Sequence, residues 1–133
     1  MSFRYALTVA LAAASLSGLG ARSALANSPS RSSCFLSSNW GNWKSPDPST
    51  LYLRVTTNRI FRLDLSHPSY RLNDPSVHLV SEVRGSSWIC SPLDLQPLYV
   101  ADNHGGMREP LFVSRMTELT PQQVAAIPPK YRP

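Results

Sequence analysis

The sequence predicts a mainly β fold: a small antiparallel barrel or sandwich of six to seven strands with a short C-terminal helix. Three observations predict it. Apolar and polar residues alternate with a period of two through "TLYLRVT" and "RIFRLDLS", the mark of half-buried strands. Clusters of Pro, Gly, Asn, Asp and Ser recur about every ten residues, the spacing of small all-β folds. The closing "LTPQQVAAI" has instead the start signals of a helix.

The opening "MSFRYALTVALAAASLSGLGARSALANSPS" comes before any of these elements. Arg4 supplies a short positive region, residues 6–20 are apolar and small, and Ala24 and Ala26 stand where a signal peptidase acts. This predicts a signal peptide over residues 1–26, cleaved between Ala26 and Asn27. A spanning helix needs about 20 strongly apolar residues. This run is shorter and diluted by Ser and Gly, so no stable membrane anchor is expected after cleavage. The residue immediately after the cleavage site is Asn27 and not a cysteine that could carry a lipid, and no Arg pair precedes the apolar run. A periplasmic or secreted protein is the expectation.

Removing 26 of the 133 residues leaves 107, which suits one domain. Residues 27–33 read as a flexible leader, 34–127 as a single β-rich domain and 128–133 as a C-terminal tail expected to fray. Net charge falls from +5 to +3 once Arg4 and Arg22 leave with the signal. Arg54, Arg59, Arg62, Arg71 and Arg84 are scattered and form no basic run, whereas nucleic-acid binding needs a clustered patch. No nucleic-acid partner is expected.

Within the domain, "CFLSSNWGNW" predicts a short, irregular first strand over residues 39–44, and "SPDPS" a turn. Leu51, Leu53 and Val55 then alternate with Tyr52, Arg54 and Thr56, and Phe61, Leu63 and Leu65 alternate with Arg62 and Asp64. These runs form one antiparallel hairpin joined tightly at Thr57 and Asn58, where Asn tolerates positive φ. "HPSYRLNDPS" is a loop that Tyr70 and Leu72 pin to the core. "VHLVSEV" is a strand with Val77, Leu79 and Val83 on one face, and "RGSS" turns the chain. "SWICS" is a short buried strand with Trp88 packed in the core. "QPLYVAD" is a strand whose Pro97 demands an edge or a strand start. "NHGG" turns into a last strand, "EPLFVSRMTEL", with Leu111, Val113 and Arg115 opposite Phe112, Ser114 and Met116. Thr120 caps a helix with Pro121 first and Gln123 completing a capping box. Pro128 and Pro129 stop it after about two turns, so it must dock through Val124 and Ile127 to persist.

The two cysteines, Cys34 and Cys90, both survive signal cleavage. In an oxidising compartment an even count favours one bridge. It would close a loop of 57 residues, worth about 4 kcal/mol in the chain-entropy model. A free buried thiol and a reactive thiol are the alternatives. No C-x-x-C occurs, and no Cys or His lies at close ligand spacing for zinc.

The "CF" opening, the Trp before the first turn, the "TLYLRV" and "RIFRLDL" hairpin, "GSSWICSPLDL" and the closing "LTPQQVAAI" resemble a family of small exported bacterial proteins classed as a domain of unknown function. The resemblance runs over about residues 34–127. It implies an exported β-rich domain and supplies no catalytic residues. Members of that family often carry two further cysteines, one after the hairpin and one in the last strand, which are absent here. If those two pair together, the resemblance implies that Cys34 and Cys90 are partners.

Candidate chemistry is sparse. His67, His78 and His104 would have to converge to hold a metal, and they read as surface residues. "NHGGMRE" is better read as a hairpin turn than as an anion cradle. Asp64, Asp94, Asp102 and Glu109 offer no visible pair for glycoside chemistry. Ser86 and Ser87 lack a nucleophile elbow. No catalytic residue, cofactor or metal site is expected. Trp40 and Trp43 are the candidate binding surface: three apart in a strand, they face opposite sides, which leaves one exposed beside Arg54 or Arg62 to bind a glycan or protein. The expected function is a monomeric, non-enzymatic module that binds an envelope protein or glycan. A small inhibitor of a secreted hydrolase such as lysozyme is the alternative, and a small hydrolase ranks last.

Overall fold

A computed structural model describes residues 33–82 and 85–133. The expected signal peptide and the expected leader up to residue 32 lie outside the described residues, as do Val83 and Arg84.

The fold is mainly β, with every strand pairing antiparallel. The described strands are β1 (Phe35–Leu36), β2 (Trp40–Asp47), β3 (Thr50–Val55), β4 (Arg59–Leu65), β5 (Val77–Ser81), β6 (Trp88–Ile89), β7 (Leu98–Asp102), β8 (Glu109–Leu111) and β9 (Val113–Glu118). One helix, α1 (Pro121–Ala126), follows. Strands β2-β3-β4-β9 form one sheet in that order, β5-β7-β8 a second, and β1-β6 a two-residue ladder. The arrangement is sandwich-like and does not close into a barrel.

The core follows from the alternation. Leu51, Leu53 and Val55 of β3 and Phe61 and Leu63 of β4 are fully buried. They join Leu98 and Val100 of β7, Leu111 of β8 and Val77 of β5 in one cluster. Phe35 and Ile89 from the short ladder complete it, with the Phe35 ring 4.8 Å from that of Phe61. Fully burying one such side chain stabilises the fold by about 1.5–3 kcal/mol.

Nine described strands replace the expected six to seven because two runs divide. "EPLFVSRMTEL" splits at Phe112: β8 pairs with β7 and β9 with β4, so this segment carries the chain from one sheet to the other. A register shift at Ser114 then resets the alternation. Val113 pairs with Leu65 and Met116 with Leu63, while Arg115 pairs with Asp64. Val113 and Met116 therefore turn inward together, and Arg115 does not share their face. The Cys34–Lys44 region also divides, into β1, a 3₁₀ turn (Ser37–Asn39) and β2.

Strand β2 continues through Ser45, Pro46 and Asp47, where a turn was expected. As an edge strand it has a free side on which proline's missing donor breaks no ladder bond. A register shift between Lys44 and Asp47 takes up the irregularity. The buried Ser45 hydroxyl donates to the Thr50 carbonyl at 2.8 Å and ties the corner.

The β3–β4 hairpin forms as the alternation predicts, with Leu53 opposite Phe61. Its loop holds Thr56, Thr57 and Asn58, since Val55 pairs with Arg59. The positive φ, 57°, falls on Thr56 and not on Asn58.

Leu72 is buried as expected, but Tyr70 at the start of the same 3₁₀ turn is 78% exposed. Trp88 also faces out, 53% exposed, while Ile89 is fully buried. Neighbours on a strand point to opposite faces, and Ile89 takes the inward place opposite Phe35. Pro97 immediately precedes β7, the central strand of its sheet, so the strand-start reading holds and the edge reading does not.

Both bonds of the Thr120 capping box form: Gln123 N–H donates to the Thr120 hydroxyl and Thr120 N–H to Gln123 Oε1. Ile127 is buried and Val124 half-buried. The segment expected to fray instead makes a 3₁₀ turn over Pro129–Tyr131. Arg132 Nη2 donates to the carbonyls of Ala125 and Ile127 at 3.1 and 2.8 Å, which the helix end leaves without partners.

Candidate functional site

The expectation that Trp40 and Trp43 face opposite sides is overturned by one residue. Trp40 pairs with Val55 and Trp43 with Leu53, so three residues of β2 span two of β3. This bulge places one extra residue in the Gly41–Asn42 stretch and returns Trp43 to the face of Trp40. Val55 and Leu53 point inward, and both tryptophans are half-buried and pack against the core. Neither is a freely exposed ring.

They do not share a surface. Trp40 borders a shallow hollow with Ser37, Ser38, Ser81 and Glu82. Trp43 lines a separate cleft of ≈ 390 Å³. The other walls of that cleft are Lys44 of β2, Asn73 at the end of the 3₁₀ turn, and Lys130 and Tyr131 of the tail, above the apolar floor of Leu72. Neither Arg54 nor Arg62, the expected cationic neighbours, lines it. Arg62 is paired instead with Asp64, 2.7 Å away on the outer face.

The cleft combines two aromatic rings, an amide and two ammonium groups. The Lys130 ammonium stands over the Tyr131 ring, 4.5 Å from its centroid, in cation–π range. Asp74 is the carboxylate of the rim. The Ser76 hydroxyl and backbone N–H both donate to its Oδ1, at 2.6 and 2.8 Å. These bonds, the hydroxyl's first, hold the carboxyl below its ordinary range. Asp74 is thus a fixed anion committed to its own turn. Aromatic faces beside amide and ammonium donors are the means by which proteins hold a ring bearing hydroxyl and carbonyl groups, with apolar contact on one side and hydrogen bonds around the edge.

Trp43 was the one residue of this cleft that the sequence marked. Asn73 read as a loop residue, and Lys130 and Tyr131 as tail. The available signal was Pro128–Pro129, which restricts the backbone and allows a defined return over β2.

The remaining candidates stay apart. His67, His78 and His104 are all exposed. His67 stands edge-on to Phe112, His78 Nδ1 lies 2.7 Å from Asn103 Oδ1, and His104 Nδ1 lies 3.2 Å from Asp102 Oδ1. Asp102 also accepts from the His104 N–H, the main cause holding its carboxyl low. Among the described residues no three His, Cys, Asp or Glu side chains gather as a metal-binding group. The Ser86 hydroxyl accepts from the Trp88 N–H, a turn-forming contact. Gly105, in the "NHGG" stretch, has φ of 80°, which suits a hairpin turn.

Cys34 and Cys90 form a disulfide beside the β1–β6 ladder. This removes the free-thiol and reactive-thiol alternatives. Asp94 locks the segment after it, its Oδ2 accepting from the N–H groups of Cys90 and Ser91 at 3.0 and 2.8 Å. The Cys90 bond is the largest cause that holds the Asp94 carboxyl below its ordinary range.

No family model, curated protein or solved structure matches the chain. Among the described residues no helix is long and apolar enough to cross a membrane.

Proposed function

We propose that the protein is an exported binding module of the bacterial cell envelope and that it holds a glycan in the Trp43–Tyr131 cleft. The observation that carries this reading is the convergence of Trp43, Tyr131, Asn73, Lys44 and Lys130 on one ≈ 390 Å³ cleft. Export is supported by the opening segment and by the Cys34–Cys90 bridge, since disulfides form and persist in oxidising compartments. The resemblance to a family of small exported proteins points the same way. A sugar would stack on an aromatic wall while Asn73 and the lysines bond its hydroxyl and acetamido oxygens.

Sedimentation with purified peptidoglycan, and titration with its soluble disaccharide fragments followed by tryptophan fluorescence, tests the reading. Saturable binding is expected, weakened at least tenfold by Tyr131→Ala and by Asn73→Ala, two changes outside the main apolar cluster. An affinity unchanged in both variants, or no binding by the wild type, overturns it.

A further inference from the structure

A second cleft, of ≈ 510 Å³, lies at the other end of the hairpin. Its walls are the β3–β4 loop and the start of α1. Arg54, Arg59 and Arg132 line it, and Ile60, Leu119 and Val124 are among its apolar lining. Chain geometry explains the meeting. Arg54 is on the outer face of β3 and pairs with Ile60 across the ladder. The Leu119 N–H donates to the Ile60 carbonyl at 2.9 Å, which brings the approach to the helix alongside β4. Arg132 returns over the helix end through its bonds to Ala125 and Ile127.

The charges of this cleft do not cancel. Glu118 is the one carboxylate that lines it, and both of its oxygens are engaged by Arg59, at 2.6 and 2.7 Å. Arg54 and Arg132 have no carboxylate partner among the described residues: the one reaches the Thr57 carbonyl at 3.3 Å and the other the two helix-end carbonyls. The Arg54 Nε is shut off from solvent and meets no acceptor. The bonding capacity that this guanidinium offers to a ligand lies at its terminal nitrogens, one of which reaches the Thr57 carbonyl, and charge-assisted bonds from such nitrogens to an oxyanion are strong.

From this pairing of unspent guanidinium charge with an apolar lining we infer that the Arg54–Arg132 cleft binds an amphiphilic anion, an oxyanion head carried on an aliphatic body. Guanidinium forks match carboxylate and phosphate oxygens, and Ile60, Leu119 and Val124 take the body. A neutral sugar matches neither half, so this site is distinct from the Trp43 cleft in place and in ligand.

Calorimetric titration of the oxidised protein at low ionic strength tests the assignment. The probes are decanoate and decyl phosphate below their micellar concentrations, with decanol as the uncharged body and acetate as the bodiless head. Saturable 1:1 binding of decanoate or decyl phosphate is expected, at least tenfold tighter than decanol or acetate, and weaker in added salt. Arg54→Met removes one charge-assisted bond and should weaken binding about tenfold. Ala125→Glu, an exposed helical position lining the cleft, should do the same by placing an anion there with every arginine retained. Ala125→Glu decides the matter if Arg54→Met does not fold. Decanol binding as tightly as decanoate, neither anionic amphiphile binding, or an unchanged affinity in the folded variants would overturn the inference. Glycan binding in the Trp43 cleft should be unaffected by either substitution.

Discussion

The β3–β4 hairpin and the β1–β6 ladder meet where Phe61 packs on Phe35, yet different forces hold them. The hairpin has six paired positions and five side chains with no exposed surface. The ladder has two pairs, with Phe35 and Ile89 as its inward side chains. Ordering one residue's backbone costs about 1–2 kcal/mol, which so short a ladder does not recover by burial alone. It is held by ties instead: the disulfide, the bond from Ser37 N–H to the Ser87 carbonyl, the bond from Arg59 Nη1 to the Cys34 carbonyl, and Asp94 on the N–H groups after Ile89. Of these two elements the long one persists by packing, and the short one because something fastens it.

Removing the bridge should produce the largest effect. The Cys34→Ser, Cys90→Ser variant should lose about 4 kcal/mol of unfolding free energy in urea, as expected for a loop of this length. Hydrogen exchange locates the loss. Amides of the ladder should open locally in the variant, while β3 and β4 amides exchange only through global unfolding. Uniform acceleration across both regions would break the distinction. Leu53→Ala comes next, at about 3 kcal/mol for a fully buried leucine. Here the hairpin and ladder should fail together, because the core beneath both is damaged. A cost below about 1 kcal/mol would mean that the inner face relaxes freely, against the packing described.

The same contrast explains what was legible in the sequence. The hairpin could be read because its two runs are long enough for a period of two to repeat, and the capping box because Thr120, Pro121 and Gln123 are local. The bridge could be read by counting cysteines. Bulges could not be read, since an extra residue is defined only against a partner strand. Those near Gly41 and at Ser114 reversed the assignments of Trp43 and Arg115. Trp88 was misplaced for a related reason: two adjacent apolar residues compete for one inward position, and the partner Phe35 decides between them. The candidate site was half legible. Trp43 stood out by type, but Tyr131 joins it through a tail that follows two prolines, and Asn73 through a loop, at separations no local pattern spans.

Smaller ties sharpen the comparison further. The Arg59–Glu118 pair grips with two short bonds and lays the guanidinium 5.1 Å from the Phe61 ring centroid. Both side chains keep close to a third of their surface in water, 31% and 30%, so solvent screening limits the pair. Glu118→Gln should cost about 1 kcal/mol, and less in high salt. A salt-independent loss would assign the effect to packing.

Asp94 offers the smallest and most diagnostic change. Its carboxylate accepts from Cys90 and Ser91, and these bonds hold its folded pKa below the unfolded value of about 3.9. A group lowered in this way adds stability above its unfolded pKa and loses it as pH falls through the folded one. Asp94→Asn keeps an oxygen acceptor but cannot ionise, and should cost about 0.5 kcal/mol at pH 7, the low end for a capping group at an exposed site. The gap between wild type and variant should be constant from pH 7 to 5 and close below about 4, as the wild-type carboxylate takes up its proton. With the bridge intact, the loss should be confined to exchange of the Cys90 and Ser91 amides, because the disulfide still fastens β6 to β1. In the variant lacking the bridge, the same substitution should also open the β1–β6 ladder, since Asp94 is then one of its few remaining ties. Equal effects in the two backgrounds would show that Asp94 shapes its own turn and does not help to hold the ladder.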